Sequence, residues 1–275
     1  MKGGAWRGVL VAVALVHVGG AAAETPRLLA MADTTRQSYV GVEVSTGALH
    51  FFEDELIAVT TADLLIEAAL GHGLKLTGAV PLSAASDDGQ TAAGLGNLTA
   101  GARLVGRRRA LSWALSSSLS APTASDRGAP GRAASAAAEL HFAQDPGLYQ
   151  PSTTTVRAAA TLRHDRGRLT VAAELGYRLL IFTPDELEYI EIVHACIGGG
   201  LALSPTLTLL GELDNLTDHL ERRYEGGDHF YHVLSAGLRY SARGLGMLAR
   251  VVVPLDDELR DSQTPLLGLE ATTDF

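Results

Sequence analysis

The sequence predicts an all-β chain that closes into a twelve-stranded antiparallel transmembrane β-barrel of the bacterial outer-membrane kind. Three observations predict it. A final strand alternates apolar and polar residues up to Phe275, similar strands follow one another from Ser38 onward, and short turns alternate with long polar loops. In the last stretch Thr273, Ala271, Leu269 and Leu267 share one face, and Asp274, Thr272, Glu270 and Gly268 share the other. Such a strand needs a neighbour on both edges or its backbone groups stay unpaired, and a closed barrel supplies one.

The elements follow in order. Ser38–Phe51 sets Val40, Val42 and Val44 against Gly41, Glu43 and Ser45. Ala58–Leu70 alternates Ala62, Leu64, Ile66 and Ala68 with Asp63 and Glu67, and a Gly71-His72-Gly73 turn makes a hairpin with Leu74–Leu82. Ala84–Thr91 reads as an acidic loop, and Gly94–Arg107 as one strand with Arg103 opposite Leu98 and Leu104. Leu111–Pro122 alternates Trp113, Leu115 and Leu119 with serines. Thr123–Pro151 is the longest loop, rich in Ala, Gly and Pro, with a short extension of its own expected around Ala138–Ala143. Ser152–Arg163 and Arg168–Phe182 form the next hairpin. The second is the clearest strand, with Leu169, Val171, Ala173, Leu175, Tyr177 and Leu179 opposite Thr170, Glu174 and Arg178. Glu188–Leu203 turns at Ser204-Pro205 into Thr206–Thr217, and Gly198–Gly200 suggests a bulge. After the charged Asp218–Asp228 loop come His229–Ser241, Gly244–Leu255 and the final strand.

Twelve strands result, with short turns at even-numbered connections and longer polar loops at most odd-numbered ones. Both termini then fall at the short-turn, periplasmic rim. Tyr39, Trp113, Tyr240 and Phe275 fall near that rim. Phe51, Phe52, Phe182, Tyr189 and Phe230 fall near the other, as two aromatic belts would.

Ahead of the strands, Lys2 and Arg7 precede the apolar run Val9–Val18 and the small residues Ala21-Ala22-Ala23, the pattern of a cleaved signal peptide. The organisation expected is therefore a signal peptide over 1–23, a periplasmic segment over 24–37 and a barrel over 38–275, in the outer membrane. Cleavage takes the formal charge from −9 to about −11, which argues against nucleic acid as a partner. The single cysteine, Cys196, excludes an internal disulfide and any multi-cysteine metal site.

With the apolar faces turned to lipid, the other set lines a lumen: Glu43, Asp63, Glu67, Lys75, Arg103, Arg157, Glu174, Arg178, Glu212, Asp214, Arg239, Arg250 and Glu270. Mixed charge there has two readings, a network of ion pairs that plugs a narrow barrel or a polar track for a solute. Twelve strands lie between the filled small barrels and the open porins, so size leaves both open.

Other chemistry finds little support. His219, His229 and His232, with Asp218 and Asp228, lack a recognisable ligand spacing and read as solvated loop, so no metal is expected. Gly94-Leu95-Gly96 has no surrounding βαβ unit and is not a phosphate loop, so no cofactor is expected. Twelve-stranded outer-membrane phospholipases carry a Ser–His–Asn set on the lipid-facing wall. Here His194 falls on the inward face without a nucleophile motif, so no enzyme is expected.

The last strand, with Phe275, Leu269 and Leu267, resembles the assembly signal of outer-membrane barrels, which implies the barrel-assembly machinery as a partner. Gly94–Gly106 (GLGNLTAGARLVG), with the serine-rich strand ending Ala121-Pro122-Thr123, resembles the barrels of the MetA pathway of phenol degradation and related transporter-like proteins. The hairpins around Gly71-His72-Gly73-Leu74 and Gly198–Leu209 fit the same pattern. Asn97 departs from it, standing where the family usually shows Asp, which weakens any role for that position. The resemblance implies passage of a small, hydrophobic or aromatic solute. In a pore, the inward charges would set selectivity and the long Thr123–Pro151 loop would gate or constrict the passage. The alternative is a non-conducting structural or adhesive barrel that acts through its outer loops.

Overall fold

The computed structural model describes residues 37–51, 55–87, 90–141, 144–182, 188–220 and 229–275. The signal peptide, most of the segment 24–37, and Phe52 lie outside them.

Thirteen strands form one antiparallel sheet: β1 (Tyr39–Phe51), β2 (Glu55–Gly71), β3 (Leu74–Asp87), β4 (Gln90–Leu95), β5 (Thr99–Arg108), β6 (Leu111–Ser120), β7 (Thr153–Arg166), β8 (Leu169–Phe182), β9 (Glu188–Ala202), β10 (Leu207–Leu220), β11 (His229–Ala242), β12 (Leu245–Pro254) and β13 (Leu266–Asp274). The first strand pairs with the last, Tyr39 opposite Asp274, and β2 pairs with β3, which closes the sheet. Strands β4 and β5 occupy one position in the wall in tandem, β3 pairing with β5 over Leu74–Ala79 and with β4 over Leu82–Asp87. The wall therefore has twelve positions, and the fold is the expected closed antiparallel barrel.

The alternation decides which way each side chain points. Along β8 the even-numbered residues are mostly buried and the odd-numbered ones mostly exposed, with Leu175 62 % exposed. Leu267 and Leu269 on β13 stand out at 58 % and 65 %. A continuous outer band of leucine is stable only against lipid, while the polar residues between them face a lumen. No helix among the described residues is long and apolar enough to cross a membrane.

The short turns carry their own chemistry. His72-Gly73 and Arg243-Gly244 both have positive φ at each residue, the type I′ pattern that matches strand twist, and glycine supplies it without a Cβ clash at the second position.

Several local expectations are corrected. Ala84–Thr91 is not a loop, because β3 runs on to Asp87 and continues through β4. Gly94–Arg107 is one wall position but not one strand, since it breaks at Gly96–Leu98. Gly198–Gly200 makes no bulge, and β9 keeps register with both neighbours through it. Tyr39 leaves the aromatic belt for the lumen, where its hydroxyl donates to Glu67. Phe182 also turns inward against the core, whereas Tyr240, Tyr189, Phe230 and Phe275 are exposed.

The largest correction concerns Thr123–Pro151. Six alanines make Gly128–Leu140 a good helix former, and this segment is helix α1, followed by a 3-10 turn at Pro146–Leu148. It folds into the barrel. Ala133, Ala136, Ala137 and Leu140 join one buried cluster with Leu49, Val59, Leu180, Ile192, Leu216, Val233, Val252 and Leu266, residues from around the whole wall. Alanine keeps the helix slim enough for the lumen. A Cβ on Gly94 would lie 2.7 Å from the Pro130 carbonyl oxygen, so helix and β4 backbone meet directly. A second short helix, α2 (Asp257–Ser262), covers the same rim and contributes Leu259 to the cluster.

Candidate functional site: the charged half of the lumen

Below α1 the inward residues change from apolar to charged. Each step is one inward position down a strand: Leu180 to Arg178 on β8, Ile192 to His194 on β9, and Leu216 to Asp214 on β10. The charged half encloses a cavity of about 280 Å³.

Of the expected lumen residues, Glu43, Asp63, Glu67, Arg103, Arg157, Glu174, Arg178 and Arg250 line this cavity. Lys75 lies behind Glu67, Arg239 contacts Glu270 at 3.6 Å, and Glu212 accepts from the Cys196 thiol at 3.9 Å.

Most of the charges are joined. Glu67 is a hub, with Lys75 Nζ at 2.5 Å, the Tyr39 hydroxyl at 3.1 Å and Arg103 on its other side. Arg250 pairs with Glu43. Arg157 reaches Asp145 at 3.1 Å and Glu174 at 3.5 Å, while Glu174 also holds His194 Nε2 at 3.0 Å and accepts from Thr161 at 2.6 Å. His194 packs against Gly176, where a Cβ would come within 1.8 Å of the ring.

The sequence did not flag the insert's own contribution. Tyr149 is fully buried and donates to Asp63 at 2.5 Å, and Asp145 pairs with Arg157. His141 Nε2 lies 3.0 Å from the Thr61 hydroxyl and its Nδ1 lies 3.3 Å from Gln144 Oε1. The usable signal was the alanine run, since a helix former inside a loop needs an apolar surface to rest on.

Asn97 joins the insert to the strand break. Its side-chain amide donates to the carbonyls of Gly147 (2.9 Å), Gln150 (2.7 Å) and Thr153 (3.3 Å), and its oxygen accepts from the Ala124 backbone N–H at 2.9 Å. The departure from Asp at this position, which weakened its expected role, is what these contacts require. An aspartate has no N–H to offer three carbonyls.

His141 makes insert docking sensitive to pH. Burial first, and the positive Arg250 second, push its imidazole down from 6.5 to about 4, with Gln144 and Asp145 acting the other way. A released insert binds a proton in that window and a docked one does not. The His141 contribution to docking is therefore at full strength above about pH 6.5, and up to about 3 kcal/mol of it is lost as the pH falls to 4. Proteolytic cutting of the insert, followed between about pH 7.5 and 4.5, should rise more on acidification in the parent than in His141→Gln.

Of the histidines and aspartates at that loop, His232 places Nδ1 3.0 Å from Asp256 Oδ1. Asp228 and the side chains of Asp218, His219 and His229 lie outside the described residues. Among the described residues no group of three or more His, Cys, Asp or Glu is arranged to hold a metal ion.

These features define a class: a twelve-stranded barrel of outer-membrane type with a helical insert above a charged, cavity-bearing lumen. Solved outer-membrane barrels share its fold. The COG4313 outer membrane channel from Pseudomonas putida F1 matches at a TM-score of 0.62 and 13 % identity over 94 % of this chain and 100 % of its own. The NanC porin matches at 0.53 and 8 %, over 85 % of this chain and 100 % of its own. The translocator domain of the autotransporter NalP from Neisseria meningitidis matches at 0.52 and 14 %, over 87 % of this chain and 88 % of its own. No protein-family model and no curated protein matches the chain, so the resemblance to the phenol-pathway barrels is not established by these comparisons.

Proposed function

We propose that the protein is an outer-membrane channel that passes a small, largely apolar or aromatic solute, with the α1 insert as its gate. Lipid surrounds its leucine band, and the barrel-assembly machinery reads its last strand through Leu267, Leu269 and Phe275. The observation that carries the reading is the placement of the insert. It fills the apolar half of the lumen directly above a charged cavity of about 280 Å³, held by side-chain contacts that can break. Among its structural neighbours the Pseudomonas protein and NanC are a channel and a porin by name. The lumen residues give the passage its selectivity, and no catalytic step is invoked.

A second reading, a non-conducting structural or adhesive barrel, is favoured by the number of those contacts: Tyr149–Asp63, Asp145–Arg157, His141–Thr61 and the Asn97 cluster all hold the insert shut. Planar-bilayer recording of refolded protein separates the two. The channel reading expects discrete steps that grow when Gly128–Leu140 is replaced by a flexible Gly-Ser linker. Asp145→Asn with Tyr149→Phe should raise opening frequency with the helix intact. If both variants fold, as judged by a heat-dependent gel shift, and the bilayer stays silent, the structural reading replaces it.

A further inference from the structure

The geometry points to a binding subsite for a small zwitterion, of the free α-amino-acid type, at Arg178, His194 and Asp214 in the lumen. The inference rests on the channel reading and narrows its solute to one whose apolar side chain carries a zwitterionic head.

Three adjacent strands, β8, β9 and β10, bring these side chains to the same cavity. All three are more than nine-tenths buried, at 2 %, 2 % and 7 % exposure. Among the described residues Arg178 has no hydrogen-bond or ion-pair partner, and its Nε and Nη1 are buried unpaired. Asp214 Oδ1 is likewise unpaired. So is His194 Nδ1, whose ring uses its other nitrogen on Glu174. In a neutral ring whose Nε2–H faces Glu174, Nδ1 is an acceptor.

The unused groups are thus a cation, a carboxylate oxygen and a ring nitrogen, in a lumen where nearly every other charge is joined. Leaving such groups unpaired is costly, and nature seldom does so without a partner to come. A lone anion would satisfy Arg178 but add to the negative charge of Asp145, Glu174 and Asp214 nearby. A lone cation would satisfy Asp214 and leave Arg178 buried and bare. A molecule with both charges completes the set: its carboxylate accepts from the Arg178 guanidinium, and its ammonium donates to Asp214. Leu148 of the insert also lines the cavity and favours an apolar side chain on the ligand.

The test uses full-length refolded protein in detergent and calorimetric titration with L-leucine, with 4-methylpentanoate (no ammonium) and with isopentylamine (no carboxylate). The expected result is saturable binding of leucine and at least about tenfold weaker binding of each half-molecule. Asp214→Asn should erase the preference of leucine over the acid, and Arg178→Gln the preference of leucine over the amine. A merely structural role would move neither ratio. No leucine binding, or a half-molecule bound as tightly as leucine, overturns the subsite. Steps in the bilayer without leucine binding would leave the channel and remove the subsite. Leucine binding with a silent bilayer in the insert-free variant would do the reverse.

Discussion

Glu67→Gln is expected to destabilise the barrel by about 3–5 kcal/mol, the usual cost of removing one partner from a buried ion pair. Glu67 is 4 % exposed and Lys75 1 %, and the carboxylate serves Lys75, Arg103 and Tyr39 together. A glutamine keeps the shape and loses the charge, so the burial cost of two cations is no longer offset. Urea unfolding in lipid vesicles, followed by the heat-dependent gel shift, reads the change as a lowered midpoint with an unchanged slope. Asp257→Asn is the contrast: its partner is Arg260, the pair is on the surface, and the loss should stay under about 1 kcal/mol. A loss of the same size for both would mean the lumen pair is worth no more than a solvated one.

Asn97→Ala is expected to cost about 3 kcal/mol, at roughly 1 kcal/mol for each well-formed buried hydrogen bond removed. Asn97→Asp should cost more, although it changes a single group. The carboxylate would turn an acceptor toward the carbonyls of Gly147, Gln150 and Thr153 and charge a site that is wholly buried. Both ends of the insert are tied here, so the loss should appear first as proteolytic cutting between Ala121 and Ser152 and as noisier conductance, before the barrel unfolds. An aspartate variant as stable as the parent would show that the side chain, and not the backbone around it, is dispensable.

The barrel was legible because its signals are local. A period of two needs only neighbouring residues, and the same alternation that sets Leu175 outward sets Glu174 and Arg178 inward. His72-Gly73 announces its turn through the backbone freedom of one residue. Tyr39 misled because alternation names a face but not a purpose. Near a strand end an aromatic satisfies either lipid or a lumen carboxylate, and Glu67 lies opposite it across β1 and β2. The break at Gly96–Leu98 was hidden for a related reason. Gly-Asn-Leu continues the strand pattern, and only contacts from more than 20 residues away end it.

What the sequence alone determined is the wall: twelve alternating positions, their order and the short turns that join them. Local periodicity and turn chemistry suffice for these. What only the tertiary structure decided is the lumen. Closure joins Glu43 to Arg250 across 207 positions and seats the alanine helix among residues from around the wall. It also leaves Arg178 without a hydrogen-bond or ion-pair partner among the described residues, while Arg157, its cross-strand neighbour, has two. Which charge meets which depends on strands distant in sequence but adjacent in space, and no pattern read along the chain carries that information.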